Sequence, residues 1–335
     1  MAPIHSNSSR RLDGTVLALL LVLVAATAFV GAAAARGDAL AARHERWMAK
    51  YGRAYTDAAE KLHRQEVFAA SARHVDAVNR AGNRTYTLGL NHFSDLTNEE
   101  FAEKQLGYRH QRGEESTPVA AVNMSMAQFQ STPDSVDWRA QRAPSPKSRT
   151  KAPTAGLVKI ATGNLISMSE QQVLDCTGGS STCESGYIND ALSYIAKSGG
   201  LQQEEAYAYI GQQGACRGGD VSPNSATAVG AARLVSLNGD EGALQELVAS
   251  QPVADLDFHH YMSGVYTGSS SCGQNLNHFV TVVGYGTDGG GQEYWLVKNQ
   301  WGTTWGEGGY MRLTRGNGGN CGMATYAYYP TMDSS

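Results

Sequence analysis

Three short runs of β-branched and aromatic residues, each broken by glycines, set the strongest limit on how this chain folds. They are Phe279-Val280-Thr281-Val282-Val283-Gly284-Tyr285, then Tyr294-Trp295-Leu296-Val297-Lys298, then Gly309-Tyr310-Met311-Arg312-Leu313. Their composition and their glycine punctuation predict strands. The N-terminal half reads differently. From Leu40 to Leu106, Trp47, Met48, Tyr51, Tyr55, Leu62, Val67, Phe68, Val75 and Val78 recur at spacings of three and four, with charges on the other face. That is the pattern of amphipathic helices packed on a core. Asn91-His92-Phe93-Ser94-Asp95 reads as a turn. Thr97, with Glu100 three residues on and Phe101 next, reads as a capping-box start to another helix. Ser169–Leu174 and Ile188–Lys197 also read as helices, whereas strands dominate past Ala226. Helices first and strands second imply an α+β fold with segregated halves.

At 335 residues the chain has room for two ordinary folding units. A formal net charge of -4 gives no footing to an electrostatic nucleic-acid binder. Arg10 and Arg11 precede an apolar run from Val16 to Val30 and a small-residue exit, Gly31 to Ala35. A basic start, a short greasy core and small residues make a secretory leader over 1–36. No second apolar span follows, so we expect no membrane contact after the leader is removed. From Gly107 to Thr132 the apolar period fails, which marks 107–132 as a linker. Asn83-Arg84-Thr85 and Asn123-Met124-Ser125 are glycosylation acceptor patterns; Asn7-Ser8-Ser9 lies ahead of the greasy core and leaves with it.

The chain has 5 cysteines, Cys176, Cys183, Cys216, Cys272 and Cys321. On a secretory route these are expected to form disulfides, and an odd number leaves one over. Zinc is the other reading of a cysteine set. Here no Cys-x-x-Cys pair exists and no histidine sits beside a cysteine pair, so we expect no metal and no cofactor.

Two segments carry chemistry. Asn277-His278-Phe279 opens one strand, and Asn299-Gln300-Trp301-Gly302 closes the next. A histidine at a strand start can serve as general base. An asparagine at a neighbouring strand end can accept from the imidazole and hold its tautomer and orientation, the part played by the third member of a catalytic triad. Trp301 would lie over that hydrogen bond and exclude water. Each piece alone has a plainer reading, as a structural histidine or a glycine-tryptophan turn.

Taken together, these residues resemble the histidine and asparagine segments of papain-like cysteine proteases, and the resemblance covers nearly the whole chain after the leader. Glu60, Arg64, Phe68, Val75 and Asn79 fall on the spacing of that family's propeptide helix motif, with Ser71 in place of its asparagine and Val75 in place of its isoleucine. Gly89, Asn91, Phe93 and Asp95 match its second propeptide motif. Ser135-Val136-Asp137-Trp138-Arg139 resembles the start of the mature enzyme, and Ser169 to Cys176 resembles the helix that ends on a disulfide cysteine. The resemblance implies a helical inhibitory propeptide over 40–106 and a two-lobed peptidase domain over 133–335, with a helical lobe and an antiparallel, barrel-like β-lobe. It implies peptide-bond hydrolysis by a cysteine thiolate paired with His278, oriented by Asn299. Its implied partners are a protein or peptide substrate and the chain's own propeptide in the cleft of a monomer. The implied destination is extracellular or vacuolar and lysosomal. By the same resemblance Cys176 pairs with Cys216 and Cys272 with Cys321.

The pattern breaks where the family carries its nucleophile, a Cys-Gly-Ser-Cys-Trp type segment ~130–150 residues ahead of the histidine and asparagine. Counting back lands near Ser148, yet no cysteine precedes Cys176. Residues 142–155 read Arg-Ala-Pro-Ser-Pro-Lys-Ser-Arg-Thr-Lys-Ala-Pro-Thr-Ala. The thiol and the family's oxyanion-donating glutamine are both absent there. Pro144, Pro146 and Pro153 also oppose the buried helix expected at this point, each at about 3 kcal/mol. Cys183 then loses its partner and is left as a free thiol, in a loop the family places away from the histidine. A second shortening falls at 254–258, where Asp255-Leu256-Asp257-Phe258 replaces an alternating core strand; His259 and His260 after it read as a solvated turn. The expectation is a papain-family homologue that is inactive as written. The competing readings are a pseudo-protease that binds or inhibits another protease, and an active protease whose message was read out of frame across this patch.

Overall fold

The computed structural model describes residues 37–106, 134–137, 139, 166–178, 188–217, 232–236, 256–268, 278, 280–316 and 326–330. The readings made on the leader, the linker, residues 142–155, Cys183, Cys272 and Cys321 lie outside them. The chain divides into two compact units, 1–72 and 73–335.

In the first unit a helix covers 37–51 (α1), and a second, α2, begins at Ala58 and runs past the division to Ala81. Glu60 organises the start of α2. Its backbone N–H donates to Asp57 Oδ1 at 2.8 Å, and its carboxylate accepts from Thr56 N and Oγ1 at 3.0 and 2.7 Å. Those Thr56 bonds, the hydroxyl first, hold the Glu60 carboxyl below the usual range. Arg64 follows one turn on, with Nε 4.0 Å from Glu60 Oε1. Phe68 is fully buried, its ring 5.2 Å from Trp47 and 5.0 Å from His44.

In the second unit, helix α3 spans Asn98–Gln105 behind the expected cap. Thr97 Oγ1 accepts from Glu100 N and Glu100 Oε2 accepts from Thr97 N, so two orphan N–H groups are satisfied reciprocally. Helix α4, Glu170–Cys176, is capped by Ser169, whose Oγ accepts from Gln172 N and donates to Tyr207 O. Helix α5 spans Ile188–Lys197, and a single turn, α6, spans Leu256–His259. Met168, Ile195 and Leu201 form a small core beside α4 and α5. The Cys176–Cys216 disulfide ties the end of α4 to the loop beyond α5. That loop also satisfies buried Asp175, which accepts from Gly214 N and Tyr207 OH there and from Gln171 Nε2 within α4. Burial pushes this carboxyl up, but the three donors together bring it below its ordinary value.

The strands are β1 Tyr86–Leu88, β2 Val136–Asp137, β3 Ala232–Ser236, β4 Tyr261–Tyr266, β5 Thr281–Thr287, β6 Glu293–Lys298, β7 Tyr310–Thr314 and β8 Tyr326–Pro330. Six of them form one sheet in the order β1-β4-β7-β6-β5-β2, and β3 pairs with β8. The fold is α+β, as expected, with one departure from an all-antiparallel sheet: β4 runs parallel to β7 through Val265 and Arg312. The terminal strand β1 comes from the region expected to be the propeptide. Gly264, at φ 92°, admits it, because a Cβ there would collide with the Thr85 carbonyl. The main core joins Tyr86, Phe93 and Phe101 to Phe258, Trp295, Trp301 and Trp305.

Candidate active site

Strand β6 ends at Lys298, and Asn299 follows, its N–H held by Gly309 O at 2.9 Å. Strand β5 begins at Thr281, three residues later than His278, so the histidine stands on the lead-in and not in the strand itself. Because β5 and β6 are antiparallel, with Thr281 opposite Lys298, the lead-in of one meets the exit of the other. The outcome is a His278 Nε2 to Asn299 Oδ1 separation of 3.1 Å, both residues being buried. Asn299 Oδ1 also accepts from Gln300 N at 2.9 Å, which fixes the amide with its oxygen toward the imidazole. An acceptor there requires Nε2 to carry the hydrogen, leaving Nδ1 as the basic nitrogen of the neutral ring. Trp301 stacks on the imidazole at 4.8 Å and 24°. Its ring is in turn boxed edge-on by Phe101 at 4.9 Å, Trp305 at 5.0 Å, Phe258 at 5.5 Å and Phe93 at 5.9 Å. The pair is therefore oriented, dry on one side and able to take up a proton. It has no chemistry of its own without an attacking group.

The second motif of the propeptide region lies against this assembly. Gly89 N donates to His260 O, and Asn91 Nδ2 donates to His259 O at 2.8 Å, while Asn91 Oδ1 accepts from Phe93 N. A Cβ on Gly89 would stand 2.9 Å from Met262 Sδ, so no side chain fits without displacing it. Asp95 is buried in the same turn. Asn79, on α2, pairs both backbone groups of Leu88 on β1, donating to the carbonyl at 2.8 Å and accepting from the N–H at 2.9 Å.

His259 and His260 correct the sequence reading. They are fully buried and stack on each other at 4.3 Å and 12°, not placed in a solvated turn. The other face of His259 lies on Phe101 at 3.9 Å, and its Nε2 reaches Phe93 O at 3.1 Å. Histidine is polar by type, so its period said nothing about burial; flat rings on both sides make the site. Phe101 was read only as a helix residue. The available signal was Leu96 and Phe101 flanking the capping box, the positions of a hydrophobic staple. Among the described residues no cluster suited to a metal ion occurs, and no helix is long and apolar enough to cross a membrane.

Comparison with known proteins supplies the family. Residues 132–331 match the papain family cysteine protease profile, and residues 44–101 match the cathepsin propeptide inhibitor domain (I29). Fruit bromelain of Ananas comosus is 37% identical over 316 residues, covering 89% of this chain and 88% of that protein. The senescence-specific cysteine protease SAG39 of Oryza sativa subsp. japonica is 40% identical over 317 residues, covering 88% and 91%. Among solved structures, a recombinant stem bromelain precursor is similar with a TM-score of 0.76 at 35% identity, over 88% of this chain and 99% of that one. Digestive procathepsin L 3 of Tenebrio molitor gives 0.73 at 30% identity, over 87% and 99%.

Proposed function

We infer the function from the family: this chain belongs to the papain family of cysteine proteases and carries that family's propeptide inhibitor domain ahead of the peptidase domain. His278 is the general base and imidazolium partner of the site, Asn299 orients it, and Trp301 shields their hydrogen bond. Residues 40–106 serve as the chain's own inhibitor, the part from 86 to 105 seated at the cleft. Phe93 and Phe101 against Trp301 support that reading. The leader supports entry to the secretory route, with an extracellular or vacuolar and lysosomal destination. A protein or peptide is the substrate class that such a site would take.

The observation that carries our reading of activity is the absence of any cysteine before Cys176. A base with no thiol to deprotonate leaves covalent catalysis without its attacking atom, and removing the nucleophile of a triad costs on the order of 10⁶ in rate. The chain as written is therefore a peptidase scaffold that does not hydrolyse peptide bonds. The test is turnover of a fluorogenic peptide by the purified chain, with labelling by a thiol-directed epoxide, before and after limited trimming of residues 107–132. We expect no turnover above buffer. Turnover that disappears in His278→Ala would overturn the reading. Sequencing the transcript across residues 139–157 supplies the other arm: an in-frame Cys-Gly-x-Cys-Trp there makes the product an active protease.

A further inference from the structure

Of the three Asn-x-Ser/Thr triplets, Asn83-Arg84-Thr85 is the one that falls within the described residues and beyond the leader. Helix α2 stops at Ala81, and Gly82 takes φ 66°, the left-handed conformation that ends a helix and turns the chain outward. Residues 82–85 are all exposed, and extended backbone resumes at Tyr86. The flanking side chains are turned onto the fold. Arg84 donates to Tyr86 OH and lies 5.3 Å over its ring, and Thr85 Oγ1 donates to Val265 O. Asn83 makes no such bond among the described residues. Its amide thus stands at the tip of a short exposed connection, with room around it, two residues ahead of the hydroxyl that defines an acceptor.

We propose that Asn83 carries an N-linked oligosaccharide. The inference rests on the secretory reading above. The donor is a lipid-linked pyrophosphoryl oligosaccharide. Asn83 Nδ2 bonds to the anomeric carbon of its first sugar, the bond from that carbon to the pyrophosphate oxygen breaks, and lipid pyrophosphate leaves with the electron pair. One amide proton passes to a basic group of the transferase, and nothing is oxidised or reduced. The position also gives the glycan a task. Strand β1 is the terminal strand of the six-stranded order, and terminal strands invite pairing with other chains. Asn79 already occupies both backbone groups of Leu88 at one end of β1. A solvated glycan entering just ahead of Tyr86 guards the other end.

The experiment uses the full chain with its leader, expressed in cells that glycosylate secreted proteins. Peptides are mapped after amidase release in heavy-oxygen water, which converts a glycosylated asparagine to labelled aspartate. The expected result is label at position 83 in the wild type and in Thr85→Ser, and none in Asn83→Gln or Thr85→Val. Bare Asn83 in a chain whose leader has been removed overturns the site and leaves the secretory reading standing. Bare Asn83 in a chain that keeps its leader overturns both. For the guarding role, Asn83→Gln is expected to raise the dimeric and larger fraction in light scattering several-fold at equal concentration; an unchanged fraction overturns that role.

Discussion

Protonating His259 would place a charge where nothing receives it. Both ring faces are covered, by Phe101 and His260, and Nε2 is engaged with Phe93 O, so the hydrogen must sit on Nε2 and the free lone pair on Nδ1. Nδ1 is buried and has no hydrogen-bond partner among the described residues. Burial first, then the neighbouring His260, hold this imidazole well below its usual value of 6.5, against the opposing pull of the Phe93 carbonyl, with His92 adding a smaller push downward. The sign follows from linkage. Below 6.5 the unfolded chain binds a proton that the folded chain refuses, so this contribution is complete above 6.5 and is lost as the pH falls. The slope approaches about 1.4 kcal/mol per pH unit until the folded group itself titrates. Chemical denaturation at pH 7, 6 and 5 measures it. His259→Gln, which keeps a side-chain donor for Phe93 O and cannot charge, should flatten that decline; an unchanged decline would assign it to other groups. Glu307, by contrast, ends below the ordinary carboxyl range despite burial, because Arg312 and the Gly264 N–H stabilise its anion.

Element boundaries were legible wherever a backbone rule met a side chain that obeys it locally. Thr97 and Glu100 announced α3 because a cap is a bond between residues three apart; Ser169, read as the first residue of a helix, is instead the cap of α4. Thr97→Ala should therefore cost about 1 kcal/mol and raise amide exchange first over residues 98–101, in a denaturation series read beside hydrogen exchange. Protection unchanged across that turn would mean packing of Phe101 alone holds the helix. The runs 279–285, 294–298 and 309–313 were visible as strands, within two residues of β5, β6 and β7, for the same local reason, since β-branched and aromatic side chains suit a half-buried pleat. Pairing was not visible. That β1 joins β4, and that β4 lies parallel to β7, depend on residues 180 apart in one case and 47 in the other, Thr85 with Val265 and Val265 with Arg312. His278 and Asn299 were readable as candidates by type and by position on adjoining strand ends. Their 3.1 Å separation depends on the β5–β6 register, with its irregularity between Val282 and Gly284, which no single segment encodes.

At the scale of the whole molecule, one core unites two regions of the chain. One hydrophobic cluster takes Val75, Tyr86, Leu88, Phe93 and Phe101 from the propeptide region together with Phe258, Trp295, Val297, Trp301 and Met311 from the peptidase region. An enzyme that must shed its propeptide leaves Trp301 to repack against other groups. A chain that retains this region keeps Phe101 in place against Trp301. Deleting the fully buried Phe101 ring should then be felt throughout the cluster. Phe101→Ala is expected to cost ~3–5 kcal/mol, the usual range for losing a buried aromatic. The loss should appear equally in the Trp fluorescence midpoint and in global-exchange amides of β6 such as Leu296 and Val297. Leu62→Ala, at a side chain 57% exposed in the first unit, should stay within ~0.5 kcal/mol and serves as the control. If Phe101→Ala instead loosened residues 89–105 while exchange in β6 held at its wild-type rate, the two regions would be separate cooperative units. The propeptide region would then unfold on its own, ahead of the β-sheet it covers.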